Sequence, residues 1–206
     1  MIADDHQLVA DAYKAILEPE NEVLGVVVDG RALLRDAAKL QPQIVITDIT
    51  MPLLNGLDAA QQLKHKMPGI KIVFVTMNQD SDLVAEAFRR GASAYLPKTS
   101  AGTELLQAIR EVMNGRTYLS PLAAQGTIAS LLRQDKTDGT SEALTDRQRE
   151  VIQLLAEGKS MKEAASLLNM TVRTVAFHKY RIMKKLALQN NSELIQYAIR
   201  NHMIAA

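Results

Sequence analysis

The chain has 206 residues, 47% of them apolar and 23% charged, with a formal net charge of +1, which suits a globular protein of one or two domains. It holds no cysteine, which excludes disulfides, thiolate metal centres and cysteine nucleophiles. Its longest apolar runs fall far short of a bilayer span and no signal peptide is evident, so no membrane partner and a cytoplasmic location are expected. The charge is unevenly divided. Residues 142–206 hold ten Lys/Arg against six Asp/Glu, and residues 1–141 hold fourteen against seventeen. A basic back half points to a polyanionic partner for that half.

Residues 1–120 alternate between strand and helix patterns. Met1, Ile2 and Ala3 are a short apolar start that runs into Asp4 and Asp5. Leu8, Val9, Ala12 and Ile16 have helical spacing and predict a helix over 6–17. A strand follows over 23–28, then a helix over 31–40 that stops before Pro42. Ile44–Thr47 is an unbroken run of β-branched residues, the pattern of a strand buried on both faces. It ends on Asp48. Pro52 and Asn55-Gly56 turn the chain into a helix over 57–67. A strand over 70–75 ends at Thr76, and a helix over 81–90 is closed by Gly91. A short strand over 94–96 precedes Pro97 and Lys98, and a helix over 103–113 ends at Gly115. Five such units predict an α/β fold, a doubly wound five-stranded parallel sheet covered by helices on both faces.

In an open α/β sheet, chemistry sits outside the carboxyl ends of the strands. Asp4, Asp5, Asp48, Thr76 and Lys98 all fall there. One acid after one strand is more often a turn residue; five such groups at one sheet edge make a site. Three carboxylates together call for a cation, and a small hard ion with oxygen ligands, Mg²⁺ (or Mn²⁺), fits best. With a carboxylate nucleophile, a hydroxyl and an ammonium, this is a phosphoryl-transfer arrangement. No Gly-rich phosphate loop is present, which argues against a nucleotide-binding enzyme.

The strings Ile2-Ala3-Asp4-Asp5-His6, Asp48-Ile49-Thr50-Met51-Pro52, Val75-Thr76, Gly91-Ala92 and Ala94-Tyr95-Leu96-Pro97-Lys98 resemble the flavodoxin-like receiver domain of two-component response regulators. The resemblance implies that Asp48 is the phosphoacceptor. Asp5, Asp48 and the Thr50 backbone carbonyl would ligate the metal, with Asp4 contributing through water. Thr76 and Lys98 would bind the phosphoryl group, and Tyr95 would change rotamer with Thr76. Two departures stand out. Only Met1 to Ala3 precede the acidic pair, where the family has a few more apolar residues; either the sheet loses part of a central strand or the start is truncated. Met77 replaces a small residue after Thr76, and its bulk predicts slow loss of the phosphoryl group.

Residues 119–141 read as a linker, partly helical over 122–132 and then polar and tether-like. Residues 142–206 read as a small all-α domain. Thr145 and Gln148 form a capping box, and Val151, Ile152, Leu154 and Leu155 face a core. Ser160 caps a second helix, with Glu163 at its third position. Thr171 caps a third helix running to about residue 186, and Ser192 opens a fourth. A short helix, a tight turn and a longer basic helix make the helix-turn-helix plan. Leu144-Thr145, Leu154-Leu155-Ala156-Glu157-Gly158, Thr171-Val172-Arg173-Thr174-Val175 and Ile182-Met183-Lys184-Lys185-Leu186 resemble the LuxR-type DNA-binding domain. The whole chain is thus similar to NarL/FixJ-type response regulators: a receiver over 1–118, a linker over 119–141 and a DNA-binding domain over 142–206.

The third helix would enter the major groove of double-stranded DNA. Thr171, Arg173, Thr174, Lys179 and Arg181 are positioned for phosphates or base edges, with Lys184 and Lys185 nearer its end. Ser160 and Lys162 would hold backbone phosphates at the second helix's start. Val175, Ala176 and Phe177 offer apolar contacts to thymine methyls; Ala176 stands where the family often has Lys, which predicts weaker, less salt-dependent binding. The resemblance places a homodimer contact at Ser192, Glu193, Gln196 and Tyr197. The expected function is transcription control by Mg-dependent phosphorylation of Asp48 by a sensor histidine kinase, with no enzymatic turnover beyond self-phosphorylation and slow dephosphorylation. The alternative is a regulator whose receiver-like domain serves only as an interaction and dimerisation module. A phosphohydrolase is disfavoured, because Thr50 stands where a second acid would be needed.

Overall fold

The computed structural model describes residues 1–78, 80–100, 102–124 and 144–204. The first unit runs β1 (Ile2–Ala3), α1 (Gln7–Leu17), β2 (Val26–Val27), α2 (Gly30–Leu40), β3 (Ile44–Thr47), α3 (Gly56–Lys66), β4 (Lys71–Thr76), α4 (Ser81–Arg89), β5 (Ala94–Pro97), α5 (Gly102–Met113), β6 (Tyr118–Leu119) and α6 (Pro121–Ala124). The sheet is parallel, in the order β2-β1-β3-β4-β5-β6. Chain order reverses at β1, so a crevice opens between the carboxyl ends of β1 and β3.

The strand residues alternate between two cores, as the period of two requires. Val45, Ile72, Phe74 and Tyr95 pack with Leu33, Leu57 and Leu83 of α2, α3 and α4. Ile2, Ile46, Val73, Val75 and Leu96 pack with Ala10, Leu17, Leu105 and Ile109 of α1 and α5. The first strand is only two residues long, yet it bonds on both sides: Asp4 N donates to Val27 O at 3.0 Å and Asp48 N to Ala3 O at 2.9 Å. These bonds set Asp4 beside Asp48.

The sheet has six strands where the sequence pattern predicts five. Tyr118 and Leu119 pair parallel with Ala94 and Tyr95; two residues after a glycine turn are too short for their periodicity to register. Ala123 of α6 is buried in the first core. The rest of the helix expected over 122–132 and the tether after it lie outside the described residues.

The second unit holds α7 (Asp146–Ala156), α8 (Met161–Leu168), α9 (Val172–Lys185) and α10 (Asn191–Arg200). Both expected capping boxes form: Thr145 with Gln148 and Ser160 with Glu163. Thr171 caps α9 by accepting from Thr174 N at 3.1 Å. Asn190 caps α10, one turn-residue pair ahead of Ser192, because its side chain accepts from Glu193 N at 3.0 Å. Val151, Ile152, Leu154, Leu168, Val175, Ile182, Leu194 and Ala198 close the core. No helix among the described residues is long and apolar enough to cross a membrane.

The two units are docked. The loop from β3 to α3 is packed so closely that it admits no side chain at two positions. A Cβ on Gly56 would lie 1.9 Å from the Asp48 carbonyl oxygen, and one on Gly30 2.1 Å from that of Leu54. Leu53 in this loop takes a left-handed conformation, φ 66°, which costs about 1–2 kcal/mol for a residue with a Cβ. Its side chain packs against the core of the second unit.

Candidate functional site

The β-branched run of β3 carries Asp48 to the sheet's carboxyl edge, where it is buried with Asp4. Asp48 Oδ1 accepts from Ile49 N at 2.6 Å and, more weakly, from Thr50 N at 3.4 Å. Its Oδ2 accepts from Lys98 Nζ at 2.7 Å. Lys98 Nζ also lies 2.8 Å from Asp4 Oδ2, so one ammonium bridges both buried carboxylates. Burial disfavours the charged Lys98, but its hydrogen bonds to Asp4 and Asp48 outweigh that and raise its pKa. Asp5 is more open, and His6 Nδ1 lies 2.9 Å from Asp5 Oδ1 and 3.3 Å from Asp4 Oδ1.

Ligand atoms of Asp4, Asp5, His6 and Asp48 all lie within 4.8 Å of one another. Three carboxylates so close are the hard oxygen donors that a divalent cation takes. The donor set fits the expected metal.

Thr76 ends β4 and Tyr95 lies in β5; both are buried. They hold the backbone on either side of one residue that the sequence does not single out. Thr76 Oγ1 accepts from Asn78 N at 3.4 Å, and the Tyr95 hydroxyl donates to Asn78 O at 2.8 Å. Thr76 and Tyr95 reach Asn78 through its backbone, which leaves no trace in residue type, while its side chain accepts from Asp80 N at 2.8 Å. Burial first, then the charge of Asp48, raises the Tyr95 pKa well above its ordinary value, so the hydroxyl stays a donor. Met77 between them is 69% exposed.

In the second unit, the outer face of α9 is open to solvent. Arg173, Phe177, Tyr180, Arg181 and Lys184 are exposed along it. The Thr171 and Thr174 hydroxyls pair at 2.9 Å at its start. Ala176, Lys179 and Lys185 are half-buried. Val175 is wholly buried and cannot reach a thymine methyl; it and Ile182, seven residues on, form the inward stripe of the helix. Tyr180, 65% exposed, belongs to the open face instead. Ser160 and Lys162 are exposed at the start of α8. The Ser160 oxygen accepts from Glu163 N at 3.2 Å, and its hydroxyl bonds back to the Glu163 carboxylate, which lowers the Glu163 pKa.

On α10, Ser192 and Gln196 are exposed together with Ile195. Glu193 is engaged locally, accepting from Gln189 N at 2.7 Å and Asn190 Nδ2 at 2.9 Å. Tyr197 is half-buried and lines the groove between the units with Lys64, Glu86, Arg90 and Arg149.

The contact between the units is polar and largely buried. Asp58 of α3 accepts from Arg149 Nε of α7 at 2.6 Å and also pairs with Arg90. Glu150 of α7 accepts from Arg31 Nη1 at 3.3 Å and Gln62 Nε2 at 3.0 Å. Arg31 also donates to the Leu167 carbonyl. Gln153, fully buried, accepts from Asn55 N at 2.8 Å and Asn55 Nδ2 at 3.0 Å, and donates to Met51 O at 3.0 Å. Glu157 accepts from Leu53 N at 2.9 Å. The sequence reading assigns none of these residues a role between the units, so this contact is not foreseen.

An acidic pocket at the switch point of a doubly wound sheet, docked to a helix-turn-helix unit, defines a receiver coupled to a DNA-binding output. Residues 1–110 match the response regulator receiver domain family and residues 142–198 match the bacterial regulatory proteins of the luxR family. The chain is 33% identical to the transcriptional regulatory protein LiaR of Bacillus subtilis over 206 residues, covering 99% of this chain and 98% of that protein. It is 30% identical to the response regulator UvrY of Escherichia coli over 211 residues, covering 100% and 95%. Among solved structures, the Salmonella typhimurium RcsB response regulator aligns with a TM-score of 0.60 at 27% identity over 95% of this chain and 94% of that one. An RcsB–DNA complex aligns with a TM-score of 0.58 at 27% identity over 95% of each chain. The chain belongs to the NarL/FixJ-type response regulators.

Proposed function

We propose that this protein is a cytoplasmic transcription factor switched by phosphorylation of Asp48 from a partner sensor histidine kinase. The observation that carries the reading is the convergence of Asp4, Asp48 and Lys98 at the strand ends, with Thr76 and Tyr95 holding the neighbouring loop. Asp4, Asp5, Asp48 and the Thr50 carbonyl would hold Mg²⁺ or Mn²⁺. When bound, the cation offsets the charge of the acidic cluster and of the phosphoryl group.

In the transfer, the P–N bond of the kinase phosphohistidine breaks as a P–O bond to the Asp48 carboxylate forms. Lys98, already on Asp48, then pairs with a phosphoryl oxygen. The Thr76 hydroxyl turns from Asn78 N to another phosphoryl oxygen, which frees that N–H and leaves Asn78 held only through its carbonyl by Tyr95. A local charge change thereby moves the loop after β4 and biases a two-state surface.

The output is a dimer on double-stranded DNA. The open face of α9 supplies Thr171, Arg173, Thr174, Phe177, Lys179, Arg181, Lys184 and Lys185, with Ala176 beside them. Ser160 and Lys162 anchor phosphates, and Ser192 and Gln196 lie on the exposed face of α10 suited to a partner copy. Residues 1–118 and 142–206 are the two functional units, joined through 119–141.

The test incubates the protein with Mg²⁺ and acetyl phosphate and follows intact mass, oligomeric state and DNA binding together. The wild type gains one phosphoryl group, dimerises and binds DNA more tightly, and Asp48→Ala does none of these. Phosphorylation with no change in assembly or DNA binding contradicts the reading.

A further inference from the structure

We propose that the docked DNA-binding unit forms part of the receiver's cation site: Gln153 presets the loop after Thr50 and so raises the affinity of the site for Mg²⁺. This rests on the receiver reading above and adds a positioning residue from the other unit.

The loop over 51–55 continues directly from the Thr50 carbonyl. The second unit holds it at three backbone points: Met51 O and Asn55 N by Gln153, and Leu53 N by Glu157. Every polar atom of the Gln153 amide is used, since Nε2 also donates to Glu157 Oε1 at 2.8 Å. Within the first unit, Gly30 of α2 approaches the Leu54 carbonyl and Gly56 that of Asp48 so closely that neither position has room for a Cβ. The left-handed Leu53 persists where surrounding contacts over-determine it, and those contacts belong to the second unit.

A cation that uses the Thr50 carbonyl must order this segment unless it is already ordered. When a first partner has rigidified a loop, a second partner binds with a smaller entropic cost. The Gln153 and Glu157 contacts therefore favour Mg²⁺, and by linkage Mg²⁺ strengthens those contacts by the same factor.

The test compares full-length variants. Gln153→Met keeps the volume and removes all four bonds. Arg31→Ala cuts the hydrogen bonds to Glu150 and Leu167 and removes none to the loop. Mg²⁺ affinity is measured by calorimetry, and amide hydrogen exchange is followed at Leu53 and Asn55. Gln153→Met should bind Mg²⁺ about fivefold or more weakly and exchange faster at both amides, while Arg31→Ala keeps wild-type affinity. Glu157→Ala, which frees Leu53 N, should weaken Mg²⁺ binding in the same direction and serves if Gln153→Met does not fold. Wild-type affinity in both loop variants overturns the proposal and leaves the receiver reading intact. An equal loss in Arg31→Ala also overturns it, since docking at large and not Gln153 would then be responsible. A wild type that binds no Mg²⁺ removes both the proposal and the receiver reading.

Discussion

The loop from β3 to α3 and the loop from β4 to α4 leave adjacent strands beside the same carboxylate, yet they are held by different parts of the molecule. The first is approached closely at Gly30 and Gly56 and hydrogen-bonded by Gln153 and Glu157 of the second unit. The second is held at Asn78 by the side chains of Thr76 and Tyr95, with Met77 standing in solvent. One loop is fixed by another domain, and the other is fixed by Tyr95 and by a Thr76 hydroxyl that a phosphoryl group on Asp48 would recruit. The contrast separates the part of the site that must be rigid from the part that must move.

The largest way to break the contrast is at the ionic anchor beside the first loop. Asp58→Ala leaves Arg149 without its carboxylate, Arg90 keeping Glu86, and removing one partner of such a buried pair costs about 3–5 kcal/mol. Urea unfolding should report a loss of that order. The matching cut at the second loop is smaller. Tyr95→Phe removes one hydrogen bond to Asn78 O and should cost about 1 kcal/mol in the same assay. Equal losses in the two variants would erase the distinction between the loops.

A finer probe is pH. Burial, above all, raises the Glu157 pKa from its ordinary 4.5, Asp29 adding to the rise, while Gln153, Leu53 N and Lys159 oppose it. The docked form therefore holds this proton more tightly than the undocked one. That contribution to docking is fully present below the ordinary value and is lost as pH rises through the raised one. Glu157→Gln, which still accepts from Leu53 N, should flatten this dependence when protection of the Leu53 amide is measured across that window. The smallest expected effect is kinetic: Met77→Ala should shorten the lifetime of the phosphoryl group on Asp48, followed by intact mass after donor removal. An unchanged rate would mean that Met77 does not obstruct attacking water.

Much of this was legible in the sequence. Ile44–Thr47 announced a buried strand through its β-branched run, and the residues after the strands announced a site through their chemistry. Thr145 with Gln148 and Ser160 with Glu163 announced two helix starts, because capping is local. The missing parts are non-local. β6 is two residues whose strand character comes from pairing with Ala94 and Tyr95. Thr76 and Tyr95 reach Asn78 through its backbone N–H and C=O, which residue type does not reveal. Gln153, Glu157 and Asp58 are polar residues at helical positions that look solvated until another unit covers them. Val175 was offered to DNA by its place in the reading helix, and the packing of α9 turned it inward.

The central claim is that the phosphoryl group on Asp48 takes the Thr76 hydroxyl away from Asn78. Amide hydrogen exchange at Asn78, measured in the full-length protein before and after phosphorylation with acetyl phosphate and Mg²⁺, tests it most directly. Exchange at Asn78 should accelerate on phosphorylation, and Asp48→Ala should show no response to the donor. A protein fully phosphorylated by mass whose Asn78 amide exchanges at the original rate would contradict the account.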